Sequence, residues 1–164
     1  MLGAELRLRK HCRANNDQVL GIIKRFGVRR VVLSAYWQRI FEENDLKLSL
    51  MTDTVQRLRR AGLEVVVIGD NPDFPFSNPQ YLSLRLAKRD DPAAPYYTGV
   101  RNDFGFNGRL ARATRPAAFF DPMKQLCRGN ECLAFQGGRL MMRDNSHLTT
   151  YGASVVLRSL RPLG

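Results

Sequence analysis

Histidine is nearly absent from this chain, with two residues in 164, and acidic side chains are outnumbered 15 to 26 by lysine and arginine. The histidines stand far apart, at positions 11 and 147, and the three cysteines form no C-x-x-C pair. Without a clustered set of donors no metal is expected. There is no Gly-x-Ser-x-Gly elbow, phosphate-cradling P-loop or dinucleotide-binding glycine pattern, so no cofactor is expected either. No apolar run approaches the ~18 residues needed to span a bilayer. The opening MLGAELRLRKHC carries charge but no apolar centre, so it is not a secretory signal. A role outside the cytoplasm would require a targeting segment elsewhere. Internal repeats and low-complexity segments are missing too. What is present, 44% hydrophobic and 25% charged residues, is ordinary globular composition, and the length suits one domain.

The net charge of +11 raises the question of nucleic-acid binding. Yet the basic residues are scattered from Arg7 to Arg161, with short pairs at 29–30 and 59–60 and no long block. Aromatics do not interleave with them as a base-stacking platform requires. Nucleic acid is therefore not an expected partner. A solvated, arginine-rich surface facing an anionic envelope is the better reading. Binding of an anionic polymer stays as a third alternative, marked by affinity that falls steeply with salt.

Alternation of helical and β-branched stretches organises the first half. Residues 14–27, ANNDQVLGIIKRFG, read as an amphipathic helix closed by Gly27, and RRVVLSAY as a buried strand. LKLSLMTDTVQRLRRAG is a second helix, with Leu46, Leu50, Val55 and Leu58 on one face and Gly62 at its end. LEVVVIGDNPDFPF is a second buried strand running into a proline-rich loop. Parallel strands joined by crossover helices follow, hence an α/β sandwich. Farther on, NPQYLSLRLAKRD is a helix, DPAAPYYTG a linker loop, 100–114 another helix and AAFFDP a short strand. Cys127 and Cys132 enclose RGNE, whose Gly129 and Asn130 permit a turn sharp enough for a local disulfide; free structural thiols are the other reading. Cys12 stays free or lacks a partner from outside the chain. CLAFQGGRLMMRD suggests a hairpin turning at Gly137–Gly138, and a closing helix runs from about Thr150 to Leu160.

Chemistry is most legible in RDNSHLTTYGA, residues 143–153. A carboxylate three positions before an imidazole can hold one ring nitrogen and leave the other as a general base. Asp144 and His147 are thus the candidate catalytic residues. Plainer readings are a surface histidine, a turn aspartate, and Thr149 or Thr150 as the N-cap of the last helix. His11 has no patterned neighbours and reads as surface. GDNP at 69–72 is like the Gly-Asp-Ser start of a serine hydrolase, but Asn71 stands where the nucleophile would be. A strand-ending turn fits it better. Ser34, inside VVLSAYW, reads as part of a strand rather than as an attacking hydroxyl.

Taken together, FFDPMKQLC…C…GGRLMMRDNSHLTTYGA resembles the C-terminal part of the SGNH (GDSL-like) hydrolase domains attached to membrane acyltransferases of the acyltransferase-3 type. The family's closing Asp-x-x-His-Leu-Ser/Thr loop, followed by Gly-Ala in a helix, is matched by Asp144, His147, Leu148, Thr149, Gly152 and Ala153. The cysteine pair fits the family's short disulfide loop. CRANNDQVLGIIKRFGVRRVVLSAYW is similar to the stretch leading into its third strand, and VVVIGDNPDFPF to the next strand and loop. The resemblance covers nearly the whole chain. It implies a three-layer α/β/α sandwich with a parallel sheet, and a Ser-His-Asp triad in which His147 is the base and Asp144 its orienter.

No residue matches the family's Gly-Asp-Ser nucleophile, which follows its first strand. The chain is therefore expected to be the C-terminal portion of a single domain, incomplete at its N-terminus, or a degenerate copy. The missing strand would sit beside VVLSAY, leaving that strand as an exposed edge. Of the oxyanion-hole donors, only the loop at Ala35–Trp37 would remain. The implied function is an O-acyltransferase or esterase that moves a small acyl group, such as acetyl, to a cell-surface polysaccharide. It would act on the periplasmic or outer side, with a membrane acyltransferase domain as partner supplying the acyl donor. The alternative is a catalytically inactive SGNH-like module that binds glycan or protein.

Overall fold

The computed structural model describes residues 18–76 and 79–158. His11, Cys12, the first turn of the helix expected from residue 14 and the end of the helix expected to reach Leu160 lie outside them. The described part of the first helix, α1, occupies 18–25. Strands β1 (Arg30–Ser34), β2 (Glu64–Ile68) and β4 (Ala118–Phe120) form a parallel sheet in the order β1-β2-β4. β2 is central, and Val65, Val66 and Val67 are only 3%, 5% and 0% exposed, the unbroken apolar run of a strand covered on both faces. Val65 and Val67 pack with helix α3 (Ser49–Arg60) and helix α5 (Phe106–Ala113), around Val55, Leu58 and Leu110. Phe120 of β4 joins a second cluster on Phe74, Leu126, Met141 and Val156. The fold is α/β, with apolar clusters on either side of a parallel sheet.

The expected face of α3 is corrected by the structure. Leu46 precedes the helix, and Leu46 and Leu50 are exposed, whereas Met51, Val55 and Leu58 are buried. Their i, i+4, i+7 spacing makes the inward stripe. The stretch expected to be a linker contains strand β3 (Tyr96–Gly99), which pairs antiparallel with β6 (Glu131–Gln136). Its four residues follow Pro92 and Pro95, and that breaker-rich context hides the β-branched and aromatic signal. β5 (Cys127–Arg128) and β7 (Arg139–Leu140) complete this smaller sheet on β6. Cys127 and Cys132 are direct cross-strand partners and are joined by a disulfide. The β6–β7 hairpin turns at Gly137 and Gly138, with φ of +57° and +72°, which residues bearing a Cβ rarely adopt.

Helix α2 (Trp37–Glu43) has no counterpart in the periodicity of the sequence. Helices α4 (Pro79–Ala87), α6 (Pro122–Leu126) and α7 (Thr150–Leu157) cover the second cluster. Among the described residues β1 has a sheet neighbour on one side alone, β2. Val32 at its middle is 51% exposed, so this apolar run, suited by itself to a buried strand, is among the described residues the edge expected where a neighbouring strand is missing.

Candidate active site

The loop after β7 is fixed at its base before it carries any chemistry. Thr149 caps α7: its hydroxyl accepts from the Gly152 amide at 2.9 Å and donates to the Leu140 carbonyl at 2.7 Å. A Cβ at residue 152 would collide with the Met141 carbonyl, so glycine lets the helix start against that backbone. Met142 and Leu148 form a β-bridge, and the Arg143 amide donates to the His147 carbonyl at 2.7 Å. Residues 143–147 are thus a short excursion closed on itself.

Within it, one oxygen of Asp144 accepts from the amides of Ser146 and His147 at 3.0 and 2.8 Å. The imidazole Nδ1 of His147 lies 2.9 Å from the other oxygen. Burial opposes ionisation of Asp144, but the two amides and the imidazole outweigh it and hold the carboxyl below its ordinary range. An ionised acceptor at Nδ1 places the proton on that nitrogen and leaves Nε2 as the basic one. The His147 side chain is 78% exposed, so protein does not cover the basic edge. The ring lines a cleft of about 320 Å³ with Ser34, Tyr36, Asp70, Asn71 and Ser146.

This cleft lies at the carboxyl ends of β1 and β2, where ligand sites form in parallel α/β sheets. Asp70, one residue past Gly69, is 2% exposed and accepts from the amides of Trp37 and Gln38 at 2.6 and 2.8 Å. It therefore caps α2 from a different loop, which explains why local sequence gave no sign of that helix. A side chain at Gly69 would press on Asn107, which donates to the carbonyl of Asp70 and the carboxylate of Asp121. The indole of Trp37 donates to the Ile68 carbonyl. Because Asp70 engages the Trp37 amide, that part of the Ala35–Trp37 loop is not a free oxyanion donor.

Burial pushes the Asp70 carboxyl up to about 6, although the two amides pull it down. Its folded-state value then exceeds its unfolded value. Between about pH 4 and 6 the folded protein holds this proton more tightly than the unfolded chain does. Stability is thus expected to fall as pH rises through that window and to flatten above it. Urea midpoints measured across pH 4 to 7 should show the slope, and Asp70→Asn should remove it.

The sequence reading and the geometry meet at Asp144 and His147, which the fold brings into hydrogen-bonding distance. Ser34 and Asn71, each set aside as nucleophile, line the same cleft. Asp70, Asp73 and Asn107 are buried polar residues that the sequence reading did not find. For Asp70 and Asp73 the sole local signal was the turn composition of GDNPD, which says nothing about long-range partners, and Asn107 on α5 lies outside that stretch.

A family model for SGNH domains fused to AT3 domains matches residues 2–162. The chain belongs to this family. Among solved structures, this SGNH domain is similar to the periplasmic domain of a lipopolysaccharide acetyltransferase from Salmonella ser. Paratyphi A, with a TM-score of 0.62 and 18% identity. The likeness covers 88% of this chain and 60% of that one. At that identity it establishes the fold, and the SGNH domain described here spans 60% of its neighbour's length. A search of curated proteins returned no match.

Proposed function

We propose that this SGNH domain takes part in serine-type acyl transfer, with His147 as general base and Asp144 as its orienter. One observation carries the reading: an exposed imidazole held through Nδ1 by an ionised carboxylate, at the mouth of a cleft at the end of a parallel sheet. The nucleophile would be a serine from polypeptide outside these 164 residues, docked along the open edge of β1. Its hydroxyl attacks the acyl carbonyl while its proton moves to Nε2 of His147. The imidazolium returns the proton to the leaving group, giving an acyl-serine. An acceptor hydroxyl then attacks the acyl-serine, His147 takes its proton and hands it to the departing serine oxygen, and the new ester leaves with serine and imidazole restored. No step uses a metal.

Family membership supports a membrane acyltransferase domain as donor of the acyl group. The neighbour's description supports acetyl as that group, a cell-surface polysaccharide as acceptor, and the periplasmic side of the membrane. The second reading, a non-catalytic module that holds glycan or protein, is favoured by the lack of any Gly-Asp-Ser run. It requires binding that is indifferent to His147.

The 164-residue chain alone should not turn over p-nitrophenyl acetate, since on this reading the nucleophile lies outside it. Turnover that disappears in Ser34→Ala or Ser146→Ala would mean that a cleft serine performs the attack and that the proposal misplaces it.

A further inference from the structure

The Asp144–His147 turn fixes the imidazole against its own carboxylate, but a second set of bonds must fix that pair relative to the cleft. Among the described residues, residues 144–147 make two hydrogen bonds to other loops, and both go to the segment after β2. The Asn145 side chain donates to Oδ1 of Asp73 at 2.7 Å, and the Phe74 amide donates to the Asn145 carbonyl at 2.8 Å. Asn145 stands between the orienter and the base in the chain.

Asp73 is itself held on every side. Its Oδ2 accepts from the Tyr36 hydroxyl at 2.7 Å, its amide donates to Oδ1 of Asn102 at 2.5 Å, and its carbonyl accepts from the Arg101 amide at 2.7 Å. It is 6% exposed. Both groups that bond its carboxylate are neutral, in a chain with 26 lysines and arginines, so what it supplies is direction rather than charge pairing. One oxygen faces the loop after β1 and the other faces the histidine loop. A hydrogen-bonded carboxylate of this kind loses rotational freedom through both oxygens and can set a loop to within a fraction of an ångström.

We infer that Asp73 is a positioning residue which, through Asn145, sets the Asp144–His147 pair against the wall formed by the loop after β1. The inference rests on the reading of His147 as the base.

The test uses the complete protein and p-nitrophenyl acetate as probe. Asn145→Ala removes the clamp while leaving the Tyr36 and Asn102 bonds of Asp73 in place, so it keeps the test alive if Asp73 variants fail to fold. Misplacement of a base by about 1 Å costs on the order of 10–100-fold in rate. Asn145→Ala and Asp73→Asn should each lower kcat by about that factor with little change in KM. In Asp73→Asn with Asn145→Asp, the amide at position 73 can donate to the carboxylate at 145 and still accept from Tyr36. That double variant should recover to within about threefold of wild type, a coupling that independent losses cannot give.

Single variants with wild-type kcat, beside an inactive His147→Ala, would overturn the positioning role and leave the base intact. A double variant no better than the poorer single would also overturn it. An active His147→Ala would instead remove the reading beneath it.

Discussion

His147→Ala in the complete protein is expected to lower ester turnover by about 10⁴-fold or more, leaving the fold intact. On the proposed mechanism the effect is this large because the substitution removes the group that accepts the hydroxyl proton. A serine hydroxyl at neutral pH is almost wholly protonated and a poor nucleophile without a base. The side chain is 78% exposed and contributes little packing, so loss of activity should come without loss of stability. Steady-state kinetics beside an unfolding curve of each protein checks both halves. A variant that turns over at the wild-type rate ends the enzymatic reading, and the binding module then takes its place.

Asp144→Asn should lower kcat by about 10³- to 10⁴-fold, by a different route. The carboxylate now accepts from two amides and from Nδ1–H. An amide in its place can keep its oxygen on the backbone amides, but then turns an N–H towards the imidazole. The ring answers with the other tautomer, Nδ1 accepting and Nε2 carrying the proton, and a protonated Nε2 cannot act as base. Substrate binding does not depend on the tautomer, so KM should hold while kcat falls. A matching rise in KM would show that Asp144 shapes the binding surface instead.

How much of this was legible in residues alone differs by level. The parallel core was, because Val65–Ile68 is an unbroken β-branched run and α3 reads as a helix, although its inward face holds Met51 where the sequence pointed to Leu46 and Leu50. The hairpin at Gly137–Gly138 and the cap at Thr149 were equally open to local chemistry. α2 was not, because Asp70, 33 residues from Trp37, caps it. β3 was hidden by the prolines before it. In the site, Asp144 and His147 could be found because three positions of separation lets them meet in one turn. Asp73 could not: its partners Tyr36 and Asn145 are 37 and 72 residues away, and no local pattern links them.

Among the described residues β1 has an open edge beside the exposed imidazole, and on the proposed mechanism the serine-bearing segment lies against both. The most direct measurement is peptide mapping by mass spectrometry of the complete protein after incubation with an activated acetyl ester and no acceptor. Acetyl is expected on a serine outside residues 1–164, present in wild type and missing in His147→Ala. Acetyl on a residue inside this chain, or the same labelled serine in His147→Ala, would contradict it.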